Sequence, residues 1–199
     1  RPYLLLASSH ANEEFEFLQQ RPAAFQSLLI VIAPRHPKRT DDIQRQLTQL
    51  EIKYAVRSLS QPITKFTEVY LADTLGELKQ FMAHAQVVVM GGSFVQTGGH
   101  NLIEPANLGC PIITGPSDSN IRQDIELLGQ ERGILQVEDM ASCWSKVDDL
   151  IQHPAKAEAL RDNARAALLK QSNIGKAYLA EIAPYLSAPK KSKQTSKSN

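Results

Sequence analysis

The segment from Gly91 to Pro105, Gly-Gly-Ser-Phe-Val-Gln-Thr-Gly-Gly-His-Asn-Leu-Ile-Glu-Pro, puts four glycines within nine residues, just ahead of a short helical pattern that Gly109 can close. Glycine loses more backbone entropy on folding than any other residue, so packing alone does not favour such a cluster. Without side chains, successive N–H groups can approach an anion closely. Asn101 is a suitable N-cap, Pro105 is tolerated in a first turn, and the positive end of the helix would face the same anion. Gly91, Gly92, Ser93, Gly98, Gly99 and His100 are therefore candidate contacts for an anion such as a phosphate. The plain alternative is a flexible surface loop. The spacing is neither G-x-G-x-x-G nor G-x-x-x-x-G-K-[ST], and residues 91–95 do not read G-x-S-x-G, so the usual dinucleotide, P-loop and hydrolase signatures are absent.

Two further loops follow apolar runs. Pro34-Arg35-His36-Pro37 offers, in Arg35, a planar fork of donors suited to phosphate or carboxylate. The flanking prolines restrict the backbone that carries it. A solvated Arg in a turn is the alternative reading. In Ser8-Ser9-His10, Ser9 can donate to an anion or cap the helix containing Glu13 and Glu14. The five histidines lack metal-ligand spacing, and no D-x-D pair offers a divalent-cation clamp, so neither a metal nor another cofactor is expected. Cys110 and Cys143 lie far apart and read as small buried hydrophobes.

The elements that must position these loops alternate. Apolar, β-rich runs at 3–7, 28–33, 53–56, 68–71, 87–90, 111–114 and 133–137 are separated by helical patterns. Several runs are continuous, as strands covered on both faces are, and the alternation predicts a doubly wound α/β domain with a parallel sheet. Ligands then bind beyond the carboxyl ends of the strands, where all three loops fall. Thr40, Thr74 and Asn120 are the expected caps of three helices, the second with Leu75, Leu78, Phe81 and Met82 on its inner face. From Met140 the pattern is helical throughout: Trp144, Val147 and Ile151 form one stripe, Pro154 starts the next helix, and a last helix is expected from about Gly175 to Tyr185.

Composition excludes other classes. The chain of 199 residues is 42% hydrophobic and 22% charged, as globular domains are. Its net charge of +1 includes Lys190, Lys191, Lys193 and Lys197, which leaves −3 on the remainder. A folded part without basic excess argues against nucleic acid as a partner. No run approaches the roughly 20 apolar residues that span a bilayer.

Arg35-His36-Pro37 after Pro34, Asp73-Thr74-Leu75-Gly76-Glu77-Leu78, and Gly91 to Pro105 continuing to Gly115-Pro116 resemble, in order and spacing, the carboxyl-terminal half of the 3-deoxy-D-manno-octulosonic acid (Kdo) transferases. The resemblance runs from about Tyr3 to Tyr185. It implies a Rossmann-like, carboxyl-terminal half of a GT-B glycosyltransferase that moves Kdo from CMP-Kdo to a lipid A precursor, at the cytoplasmic face of the bacterial inner membrane. The family's CMP-binding positions fall on Pro34, Arg35, Leu75, Gly76, Glu77, Asn101, Leu102, Ile103 and Glu104, with Ser9, His36 and the glycine-loop residues named above near the phosphate or Kdo. This chain reads Asn-Leu-Ile-Glu-Pro where the family often has Asn-Pro-Leu-Glu. CMP-Kdo is a substrate, and the resemblance adds no cofactor. The acceptor cleft, membrane anchor and catalytic Glu belong to the family's amino-terminal half, so no catalytic residue is expected here and the chain alone is expected to be inactive. Residues 1–188 read as the donor-binding domain and 189–199 as a disordered basic tail. The alternatives are another GT-B enzyme that uses a UDP-sugar, transferase or epimerase, and a non-catalytic nucleotide-binding module.

Overall fold

Runs such as Leu29-Ile30-Val31-Ile32 and Val87-Val88-Val89-Met90 have no polar side to show to water, so the strands they form must be covered on both faces. The structure, a computed structural model, describes residues 1–186. Among these, the strands are β1 (Tyr3–Ser9), β2 (Leu29–Pro34), β3 (Tyr54–Val56), β4 (Val69–Leu71), β5 (Val87–Met90), β6 (Ile112–Thr114) and β7 (Leu135–Gln136). They form one sheet in the order β3-β4-β2-β1-β5-β6-β7, with every pairing parallel. The helices are α1 (Glu13–Gln19), α2 (Thr40–Gln49), α3 (Leu78–His84), α4 (Ile103–Asn107), α5 (Arg122–Gln130), α6 (Met140–Gln152) and α7 (Pro154–Leu186).

Alternate strand residues feed two apolar layers. Leu4, Leu6, Ile30, Ile32 and Val89 pack with Phe17 of α1, Ile43 and Leu47 of α2, and Trp144 and Val147 of α6. Leu5, Val31, Val88 and Ile112 pack on the other face with Met82 of α3, Ala106 of α4, Leu128 of α5 and Ala164 of α7. Trp144 stacks on Phe17 with ring centroids 4.5 Å apart, and its indole N–H donates to the Phe17 carbonyl at 2.8 Å. That bond removes the cost of burying the indole donor. Cys110 and Cys143 are buried, and burial pushes their thiols up to about 11 and about 12, so neither carries much thiolate at neutral pH.

Chain order reverses about β1: the chain moves outward through β2, then returns to place β5 on the other side. In open α/β sheets such a switch point opens a crevice at the carboxyl ends of the strands. Here it lies between the loop after β1 and the glycine-rich loop after β5.

The helices begin otherwise than their cap residues suggest. Thr40 lies inside the first turn of α2, and its hydroxyl bonds Pro37 O and Asp73 instead of capping. Thr74 donates to the Glu77 carboxylate, α3 starts only at Leu78, and Leu75 is fully outside, 83% exposed. Asn120 gives its amide to the Thr97 carbonyl at 2.7 Å rather than to α5. For Thr40 and Asn120 a distant partner outcompetes the local amides, and for Thr74 a neighbouring carboxylate does. A capping box that the sequence reading overlooked, Asp139 with Ser142, opens α6. The separate last helix expected near Gly175 is instead the continuation of α7.

The chain divides into two units, Arg1–Leu168, which contains the sheet and both layers, and a second beginning at Leu169. Over its described residues the second unit is the rest of α7, on which Leu169, Tyr178, Leu179 and Ile182 are exposed. The expected tail, 189–199, lies outside the described residues, as do 187 and 188 at the end of the expected donor domain. Among the described residues, no helix is long and apolar enough to cross a membrane.

Candidate functional site

At the end of β1 the register slips between Ala7 and Ser9, and Ser8 takes a left-handed φ of 55°. Asn12, ahead of α1, has a φ of 75°. Non-glycine residues rarely adopt such angles, and clusters of them mark segments that the fold holds under strain. His10 sits between them. Its backbone N–H donates to Glu13 Oε2 at 2.7 Å.

Glu13 explains much of the glycine-rich loop. Its carboxylate is wholly buried and accepts the Gly92 amide at 2.8 Å and the Phe94 amide at 3.0 Å. Burial raises its pKa, while the three backbone donors oppose that rise. The other three glycine amides of the loop are also engaged: Gly91 bonds Ala7 O, Gly98 bonds Ser117 Oγ, and Gly99 bonds Gly92 O. The amides of Gly91, Gly92, Phe94, Gly98 and Gly99 are thus bonded within the protein, to a carboxylate, a hydroxyl and carbonyls. At Gly91 the absent side chain permits close approach of two loops, since a Cβ would lie 2.5 Å from Ser9 Cα.

Two serines expected at the ligand are likewise buried and committed. Ser9 Oγ donates to Glu14 Oε1 at 2.8 Å, and Glu14 also receives a two-pronged contact from Arg39, at 2.7 and 3.0 Å. Ser93 Oγ donates to Met90 O and accepts the Gly115 amide at 2.7 Å. Neither hydroxyl faces solvent.

What the crevice does present is basic and aromatic. His10 and His100 meet across it, with Nε2 atoms 2.8 Å apart and rings nearly parallel at 5.0 Å between centroids. His36 stands edge-on to His10 at 5.8 Å. Burial, then the neighbouring His36 and Arg39, holds the His10 pKa below its ordinary value. Burial and the charges of His10, Arg35 and His36 push His100 down to about 4. Arg35 is exposed, and no hydrogen bond engages its guanidinium among the described residues. Three-residue or larger groups of His, Cys, Asp and Glu able to hold a metal are absent among the described residues.

Two concavities flank α3. One of about 190 Å³ is lined by Pro34, Arg35, Leu75, Gly76, Leu78 and Phe81. The other, about 290 Å³, is lined by Asn101, Ile103, Glu104 and Lys79. The structure thus divides the expected nucleotide contacts into neighbouring groups. Leu102 faces neither, since its side chain is buried in the core and its amide donates to Asp124. Asn101 Oδ1 accepts the Ile103 and Glu104 amides at 2.8 and 3.2 Å, so it closes the start of α4 as expected and leaves those donors occupied. Glu77 is gripped by Arg57 at 2.7 Å, which holds its carboxyl down to about 2. Glu104 pairs with Lys79 at 3.1 Å. A larger cavity of about 500 Å³, beside Tyr3 and Leu29, lies at the opposite ends of the strands from these loops.

Sequence reasoning missed His10, Glu13 and Arg39. The first two were signalled only by their place after the first strand, three residues apart, as in the reciprocal contacts that open helices.

Comparison with known proteins agrees with this architecture. No family model matches the sequence. The chain is 35% identical over 173 residues to the 3-deoxy-D-manno-octulosonic acid transferase of Bordetella pertussis, covering 83% of this chain and 40% of that protein. The chain spans about two fifths of the length of the curated relatives it matches. The crystal structure of the C-terminal CMP-Kdo binding domain of WaaA from Acinetobacter baumannii superposes with a TM-score of 0.81 at 32% identity, covering 84% of this chain and 89% of that one. WaaG, a glycosyltransferase involved in lipopolysaccharide biosynthesis, shares only the fold of the GT-B carboxyl-terminal domain, at a TM-score of 0.56 and 14% identity over 83% of this chain and 42% of that one. With a sheet that superposes on the WaaA domain at a TM-score of 0.81 and 32% identity over the matched part, this chain belongs to the Kdo transferase family and matches the family's carboxyl-terminal domain.

Proposed function

We propose that this chain is the donor-binding part of a Kdo transferase, and that it holds CMP-Kdo while an amino-terminal domain presents the lipid A precursor. The observation that carries this reading is the likeness to the CMP-Kdo binding domain of WaaA from Acinetobacter baumannii. The geometry supports it. CMP-Kdo has one phosphate and one sugar carboxylate, and the uncommitted cation at the crevice, Arg35, is a fork suited to either.

In this reading the nucleoside occupies the concavity beneath Leu75 and Gly76, against Pro34 and Phe81. The apolar side formed by Pro34, Leu78 and Phe81 suits a pyrimidine ring, and Ser8, Arg35 and Thr74 supply polar groups beside it. Glu104, with one oxygen on Lys79, keeps a second oxygen for the ribose hydroxyls. Departure of CMP concentrates charge on its phosphate, and donors placed beforehand stabilise that charge without reorganising. His36 and Arg35 are the nearest exposed donors after β2. The acceptor, the membrane face at which it is met, and the base that activates it belong to the proposed full-length enzyme. Transfer in GT-B enzymes takes place in the cleft between two domains, so this chain alone should bind without transferring.

Calorimetric titration with CMP and UDP tests the reading. CMP should bind, and more tightly than UDP. A preference for UDP would assign the site to another sugar nucleotide, and the absence of binding by either would remove the donor-site reading.

A further inference from the structure

We propose that His10 and His100 act as one proton-sharing pair that takes up a proton when an oxyanion of the donor seats beside Arg35, so that the ligand itself completes the site's positive charge. This rests on the donor-site reading above and adds to it a proton-coupled recognition step.

The first support is position. The pair spans the two loops of the switch point, where the sheet opens its crevice. Neither ring is there by chance of a loose side chain. His10 is fixed through its own amide to Glu13 and flanked by the left-handed Ser8 and Asn12. The His100 ring lies over Gly92, where a Cβ would come within 2.9 Å of it.

The second support is proton arithmetic. At 2.8 Å only one hydrogen fits between the two Nε2 atoms. In the neutral pair, one ring donates from Nε2 and carries a bare Nδ1, while the other accepts at Nε2 and carries its hydrogen on Nδ1. One further proton can enter from solvent, at the bare Nδ1. No bond breaks, and the cation then offers two Nδ1–H donors around a shared central proton. Neither Nδ1 has a partner among the described hydrogen bonds, so both are available to a ligand oxyanion.

The third support is the surrounding charge. Facing the pair are Arg35 and His36 from the loop after β2, and Arg39 ahead of α2, all cationic or able to become so. The carboxylates near it, Glu13 and Glu14 of α1, are already taken by three backbone amides and by Arg39 with Ser9. Glu14 favours a proton on His10, but burial and the adjacent cations outweigh it, and both rings resist protonation in the free protein more than an ordinary histidine does. An entering phosphodiester or carboxylate reverses that balance.

The test is a histidine NMR titration of the 199-residue chain, free and saturated with cytidine 5′-(methyl phosphate), whose single negative charge does not titrate between acid and neutral pH. Resonances of His10 and His100 are assigned with H10Q and H100Q. On saturation the two should share one midpoint, raised by about one pH unit or more, equivalent to about tenfold tighter binding of the protonated form. Affinity should accordingly fall as pH rises through that midpoint, and each Gln variant should flatten the fall. Ligand-shifted backbone amides with unchanged histidine midpoints would overturn the proton-sharing pair alone. No ligand-induced shift anywhere would overturn the donor-site reading, and this inference with it.

Discussion

The Glu13 carboxylate accepts the Gly92 amide at 2.8 Å, tying the start of α1 to a loop 79 residues further along the chain. A glycine-rich loop that reads as an anion cradle is thus already occupied by an anion, one supplied by the fold. Its bonds to Gly92 and Phe94 tie down the loop that carries His100.

Glu13→Gln tests this directly. Glutamine keeps one acceptor oxygen and places an NH₂ against one of the Gly92 and Phe94 amides, leaving a buried donor unpaired. Such a loss should destabilise the domain by about 1–3 kcal/mol in urea unfolding. CMP affinity of the folded protein should weaken as well, because the loop is released. Unchanged stability would show that the carboxylate is not the loop's anchor.

Arg35→Ala should leave stability within about 0.5 kcal/mol of the parent, since the exposed guanidinium makes no hydrogen bond among the described residues. Its cost should fall on ligand binding instead. Losing charge-assisted bonds to phosphate should weaken CMP by about 1.5–3 kcal/mol and cytidine hardly at all, measured by calorimetry. Arg35→Lys should rescue only in part if two donors act together. Equal losses for CMP and cytidine would place Arg35 away from the phosphate.

How much of this was legible beforehand follows from the range of the interactions. Val87-Val88-Val89-Met90 announces a covered strand through its own composition, and Ile43 and Leu47 lie on one helical face by spacing alone, so sheet and layers could be read directly. Helix starts could not. Thr40, Thr74 and Asn120 are good caps locally, yet Asp73, Glu77 and the Thr97 carbonyl claim their side chains. At the site, Arg35 was visible because a rigid, proline-flanked loop exposes it. The engagement of Ser9 with Glu14, and of Glu13 with Gly92, depends on how the loops after β1 and β5 meet, which no local pattern encodes.

Acid stability should report the state of His100. Its pKa is held at about 4 in the folded protein, mainly by burial, and returns to about 6.5 on unfolding. Between those values the unfolded chain binds the extra proton, so this group's contribution is fully present above pH 6.5 and is lost as pH falls towards 4. H100Q removes that contribution. Its melting temperature should therefore lie further below the parent's at pH 7 than at pH 4.5. A constant difference at the two pH values would mean that His100 titrates normally. The Glu77 carboxyl, held down to about 2 by Arg57, acts in a separate and more acidic window.

Glu104 separates a structural role from a ligand role. In the first turn of α4 its charge favours the helix dipole by about 0.3–1 kcal/mol. Its pairing with Lys79, itself exposed, contributes no more than about 1 kcal/mol. Glu104→Gln retains the shape and one acceptor oxygen while removing the charge. On the ligand reading, CMP affinity falls by about 1–3 kcal/mol and the melting temperature barely moves. On the structural reading, the melting temperature falls and the affinity of the folded fraction stays put. A 2′-deoxy analogue of CMP sharpens the contrast. Where Glu104 holds the ribose hydroxyls, that analogue has already lost most of what the substitution removes, so the two losses do not add. Additive losses would move the ribose away from Glu104 and leave it the structural roles, the Lys79 pair and the helix dipole.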